Sequence, residues 1–177
     1  MKQLVRIIAI ILFLTGTGIA QRLAIVRIGM NRNELAKSLQ IYAKAFSTSE
    51  PKVFIPGFYY HGMKGDASFV FMQGERLLTF IWEHKASESV LSKQELKQYG
   101  NVIKGLEEDF GPAHHHSVSP YEPRGEEYFW RLPTSSGHTN VLPGSVKFQI
   151  ADNAWLDKMK GQGAPLQLPK NQYPYGK

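Results

Sequence analysis

The residues best able to do chemistry in this sequence are three consecutive histidines, His114, His115 and His116, between "LEEDFGPA" and "SVSP". Imidazole binds transition metals and moves protons near neutral pH. On an extended chain adjacent side chains alternate, so His114 and His116 share one side and His115 takes the other. A catalytic zinc takes three protein ligands and keeps one position open. His114 and His116 would therefore need a third ligand from His61, His84, His138 or a carboxylate brought in by the fold. The sequence holds no H-E-x-x-H or comparable spaced motif. Gly111-Pro112 closes the preceding helix, and Ser117, Ser119 and Pro120 follow, so the run reads as a solvated loop with no metal.

Other catalytic chemistries lack their residues. There is no cysteine and no G-x-S-x-G elbow. Ser136-Gly137-His138 lies in a Ser/Thr/Gly-rich stretch and reads as a turn. Glu107-Glu108-Asp109 reads as a solvated face at a helix end, where its charge opposes the helix dipole. Glu126-Glu127 is a second acidic pair. Gly57, Gly62 and Gly65 do not make a phosphate loop. The expectation is a protein without catalytic residues or cofactor.

The aromatics carry more information. They make up 12% of the chain and concentrate in "FYYHGM" and at Trp82, Tyr121, Tyr128 and Trp130. Most have an inward place on a strand. Tyr59, Tyr60 and Tyr121 have none, and aromatics exposed among polar loops are common anchors of protein interfaces. These three are the candidate binding residues.

The elements that position these residues follow from periodicity. Asn31 and Glu34 form a capping box before Leu35, Leu39, Tyr42 and Phe46, which recur on one helical face. "KVFIPGFYY" reads as a bent or edge strand because Pro56-Gly57 interrupts it. "ASFVFMQGERLLTFIW" reads as a hairpin with Phe69 and Phe71 on one face, a turn at Gln73-Gly74-Glu75, and Leu78, Phe80 and Trp82 on the return. Ser92 and Glu95 cap a second helix whose apolar stripe is Leu96, Tyr99, Ile103, Leu106 and Phe110, ended by Gly111 and Pro112. "EEYFWRL" places Tyr128, Trp130 and Leu132 on one side of a strand. "SVKFQIAD" alternates with Val146, Phe148 and Ile150 inward. A short helix follows around Trp155 and Leu156.

Composition bounds the rest. The 177 residues are 42% hydrophobic and 20% charged, the balance of a globular protein. At the N-terminus, Lys2 and Arg6 precede the apolar run Ile7–Leu14, and Gly18-Ile19-Ala20 supplies small residues before Gln21. This is the layout of a secretory signal peptide, too short for a comfortable membrane span; an uncleaved anchor is the other reading. Removing Lys2 and Arg6 lowers the formal charge of +6 by two. The basic residues are scattered, so nucleic-acid binding is not expected. Without cysteine an exported chain has no disulfides and depends on its core.

An offset of 61 residues brings Asn31 and Glu34 onto Ser92 and Glu95, Leu35 onto Leu96, Pro51 onto Pro112, and the "ASFVFM" strand onto "YFWRLP". The expected fold is α+β: two helix-plus-antiparallel-strand units packed into one domain. Residues 1–20 form the leader, 21–160 the domain with half-repeats of about 25–90 and 91–160, and 161–177 a flexible tail. The motif "RIGMNRNELAKSL", with Gly29, Met30, Asn31 and Glu34, resembles the entry to the first helix of the BamE-like and β-lactamase-inhibitor-protein-like domains. "LEEDFGP" before a Trp-bearing strand and "VKFQIAD" is similar to a second unit of this kind, and the resemblance spans roughly residues 25–156. It implies a tandem α+β architecture and a non-catalytic role in binding another envelope or extracellular protein, in the periplasm or outside the cell. The chain lacks the lipid-anchoring cysteine of the BamE lipoproteins and their turn after the first helix. Two alternatives are a histidine-dependent metal-binding hydrolase and a carrier of a small apolar ligand.

Overall fold

The computed structural model describes residues 26–72, 75–88, 90–120 and 125–161; the leader, Tyr121 and nearly all of the expected tail lie outside the described residues. It is a mixed α/β fold, mostly sheet. Seven strands, β1 (Lys52–Tyr60), β2 (Met63–Phe71), β3 (Leu77–Lys85), β4 (His115–Val118), β5 (Glu126–Arg131), β6 (Ser135–Leu142) and β7 (Ser145–Asp152), form one antiparallel sheet in the order β1-β2-β3-β7-β6-β5-β4. Helix α1 (Arg32–Ser38) and a 3-10 helix (Gln40–Ser47) precede β1, α2 (Lys93–Phe110) precedes β4, and α3 (Asn153–Gly161) follows β7.

Both capping boxes form. Asn31 accepts from the Glu34 N–H while Glu34 accepts from Asn31, and Ser92 and Glu95 do the same. The stripe from Leu35 to Phe46 lies not on one α-helix but on α1 and the 3-10 helix, because the chain leaves helical geometry at Leu39 (φ −107°, ψ 49°). Three residues per turn after Leu39 still keep the apolar positions facing the sheet, so Leu35, Leu39 and Phe46 are buried. On α2, Tyr99, Val102, Ile103 and Leu106 are buried, but Leu96 is 50% exposed. The expected stripe therefore begins one turn late. In the first turn the inward contact is made by Glu95, which meets His84 of β3, and the buried line continues through Tyr99, Val102 and Leu106.

The helical layer covers one face of the sheet. Phe46 packs on Phe69 and Phe71, Tyr42 on Phe58, and Phe110 on Phe148. Between the layers, Phe58, Tyr60, Phe80, Trp82, Trp130 and Phe148 form a continuous aromatic core, each at most 1% exposed. The strand expectations for Phe69, Phe71, Phe80, Trp82, Val146, Phe148 and Ile150 hold, since each is buried in the core; Leu78 is buried outside that cluster, and Leu77 takes the core position at a register shift in the β2–β3 pair. Edge strand β1 is bent by a register shift between Ile55 and Phe58, where Pro56 and Gly57 sit. Its hairpin to β2 turns through His61 and Gly62, both at positive φ (44° and 84°), the two-residue geometry that matches sheet twist.

Candidate functional site

The bend in β1 decides which aromatics face out. Val53 and Ile55 point inward before it; after it Phe58 and Tyr60 point inward and Tyr59 outward. Tyr59 is 55% exposed, as expected, whereas Tyr60 is 1% exposed and belongs to the core. The expectation of an exposed Tyr60 fails because the extra residue at Pro56-Gly57 resets the alternation. Tyr60 lies parallel to Phe148 at 5.7 Å and also meets Phe80 and Trp82. Burial, reinforced by the Asp109 charge, pushes its hydroxyl well above the usual phenol range.

Two open grooves flank the Lys64 side chain beside Tyr59. One, of about 360 Å³, runs toward α2 and is lined by Tyr59, Lys64, His84, Val90, Glu95 and Gln98 among others. The second, of about 510 Å³, includes Pro56, Gly57, Asp66, Glu83 and Lys85. His84 forms the wall between them. Its Nδ1 lies 2.7 Å from the Lys64 carbonyl and its Nε2 3.0 Å from Glu95 Oε1. Both neighbours are acceptors. Glu95 also accepts from the Ser92 hydroxyl and backbone N–H. Those two Ser92 bonds, and then His84, hold its carboxyl down to about 2.

Among the described residues, the outward positions on the sheet's other face are exposed or half-buried across most of its width. Its register places Phe54, Ser68, Ile81, Gln149, His138, Phe129 and His115 in one row crossing all seven strands. Phe54 is 56% exposed. His138 stacks on Phe129 at 4.4 Å and 10°, and His115 meets the same ring at 5.9 Å. Burial lowers the His138 imidazole below its usual value; Glu127, 4.0 Å away, opposes this, and Lys147 adds to it. At one end the face is closed, where Thr79 and Ala151 are buried and Ser136 donates to Asn153 at the start of α3.

The histidine run is not a loop. His115 and His116 open β4, the outer strand beside β5, because the chain after Gly111-Pro112 pairs at once: the His114 N–H donates to the Phe129 carbonyl. All three side chains stay exposed. His114 Nδ1 accepts from the Arg131 backbone N–H at 3.2 Å. His116 stacks on Tyr128 at 4.2 Å, with Nε2 3.7 Å from Glu126 Oε2. That oxygen also accepts from the Tyr99 and Tyr128 hydroxyls. Desolvation, foremost, pushes both phenols above their usual range, so they remain donors. His114 and His116 thus already have partners in the sheet. Among the described residues, no three His, Asp or Glu side chains gather where a metal ion could sit.

Sequence reasoning missed two pairings. His61 Nε2 lies 3.1 Å from Asp109 Oδ2, so Asp109 faces inward while Glu107 and Glu108 stay exposed. Gly105 lies directly under the His61 ring, where a Cβ would overlap the imidazole. Helical spacing is the signal that could have found this, since Gly105 and Asp109 are four apart and share a face with Leu106's neighbours in the core. Nothing local pointed to His84 as the partner of Glu95. Comparison of the chain with protein-family models, curated proteins and solved structures finds no match.

Proposed function

We propose that this is a non-catalytic binding protein acting through protein–protein contacts after export to the periplasm or beyond the cell. The observation that carries the reading is Tyr59, more than half exposed at the rim of the groove that runs toward α2, together with Phe54, also more than half exposed, on the sheet's other face. Large exposed apolar rings at a groove rim cost solvation in the free protein and recover it on burial against a partner. The N-terminal layout supports export. The two capping boxes and the helix-then-strands order support two related units that meet at the antiparallel β3–β7 pair. This reading agrees with the fold-level resemblance to tandem envelope domains.

The test is a photo-crosslinking residue at Tyr59, compared with one at Lys104 on the exposed side of α2, in cells exporting the protein. A discrete crosslinked protein from position 59 and none from 104 supports the reading. No adduct from either position contradicts it.

A further inference from the structure

We propose that the open sheet face docks an acidic segment of a partner protein, its apolar side chains laid along the row from Phe54 to Phe129. The proposal rests on the protein-binding reading above and adds the face and the chemical class of the partner. The row crosses seven strands, a span of about 30 Å at the usual strand spacing. That is wide enough for an interface of ordinary size, about 800 Å² per partner.

Charge selects the partner. Lys52, Lys64, Lys85, Arg131 and Lys147 occupy outward positions on this face and are all exposed. The carboxylates on the same face are Asp66, Glu83 and Glu127, and each has a neighbour. Asp66 accepts from the Gly57 N–H at 3.0 Å, Glu83 lies 3.8 Å from Lys85, and Glu127 lies 4.0 Å from His138. Lys52, Lys64, Arg131 and Lys147 have no ion pair among the described residues. Unpaired cations therefore border a partly apolar row on several sides, and an acidic segment with apolar side chains complements both. A second copy of this face would bring like charges together. The cationic groups border a row that crosses the strands, which suits an extended peptide better than insertion into lipid.

The probe is a 12-residue synthetic peptide alternating Glu and Leu, with a Lys/Leu peptide and vesicles of mixed neutral and anionic phospholipid as the other arms. They are titrated into isotope-labelled protein, and amide shifts are read by NMR. The proposal expects the acidic peptide to shift Phe54, Ile81 and Phe129, and to weaken at least fivefold in high salt. Replacing Lys64, Arg131 and Lys147 together by Glu, or by Gln if the first variant is unstable, should weaken it at least tenfold with the fold intact. Shifts confined to α1 or α2, equal binding of the Lys/Leu peptide, or binding to vesicles alone would overturn it. Tyr59 crosslinks that survive the charge substitutions would overturn the acidic-partner inference and leave the protein-binding reading standing.

Discussion

The Tyr42 hydroxyl accepts the backbone N–H of Tyr59 at 3.1 Å. This ties the 3-10 helix to the outer edge of β1, where a free N–H would otherwise invite another strand. Pro56, which has no N–H, blunts the same edge. Replacing Tyr42 by Phe keeps the ring against Phe58 and removes the acceptor. The expected loss is about 0.5–1.5 kcal/mol, the usual net value of a hydrogen bond, read from the denaturant midpoint. Sedimentation should also show more self-association. An unchanged midpoint and a monomer would mean that the edge needs no cap.

Gly105 and His61 are fitted to one another. Gly105→Ala must displace the imidazole from between Tyr60 and Asp109. Overpacking of this kind costs about 1–3 kcal/mol. In a His61→Ala background the same substitution should cost much less, and the shortfall in a double-mutant cycle measures the contact. Additive losses would show that the two residues do not meet.

Acid should weaken the α2 cap. Glu95 is held down to about 2 by Ser92 first and then by His84. A depressed carboxyl contributes stability that is complete above its unfolded value, near 4.5, and that fades as pH falls from there toward 2. Urea midpoints should drop across that window in the parent and drop less in Glu95→Gln. His138 acts in the next window up. Its lowered imidazole means that the unfolded chain takes up a proton first, so its contribution to stability falls as pH drops through about 6.5. Parallel pH profiles for the parent and Glu95→Gln would contradict the assignment to Glu95.

Leu106 and Leu96 separate the buried from the exposed part of α2. Leu106 is fully buried and Leu96 half exposed. Leu106→Ala should cost about 2–5 kcal/mol, and Leu96→Ala less than about 0.5 kcal/mol. Comparable losses would place the stripe where simple periodicity put it.

What the sequence revealed follows from the range of each interaction. Capping boxes, strand alternation in β7 and the end of α2 depend on residues within a few positions of one another, so they could be read locally. Tyr60 was misplaced because a bulge changes the parity of a strand without changing its composition. The histidine run was misplaced because β4 exists only through its pairing with β5. His61 with Asp109 and His84 with Glu95 are 48 and 11 residues apart, and nothing local predicts which imidazole meets which carboxylate. Leu96 shows the converse. It keeps the helical period, but the inward position of that turn is taken by Glu95, which meets His84 of the sheet. Tyr59 is exposed as its sequence setting suggests, and its place at the rim of the groove toward α2 needed the folded hairpin.

The central claim is that the open sheet face, with Phe54 and Tyr59 outward, is where this protein meets its partner. The most direct measurement is photo-crosslinking in exporting cells from Tyr59 and Phe54 on that face, against Lys104 and Leu96 on the helical layer. The account predicts one discrete partner band shared by positions 59 and 54 and absent from 104 and 96. A band from the helical positions alone, or from none of the four, would contradict it.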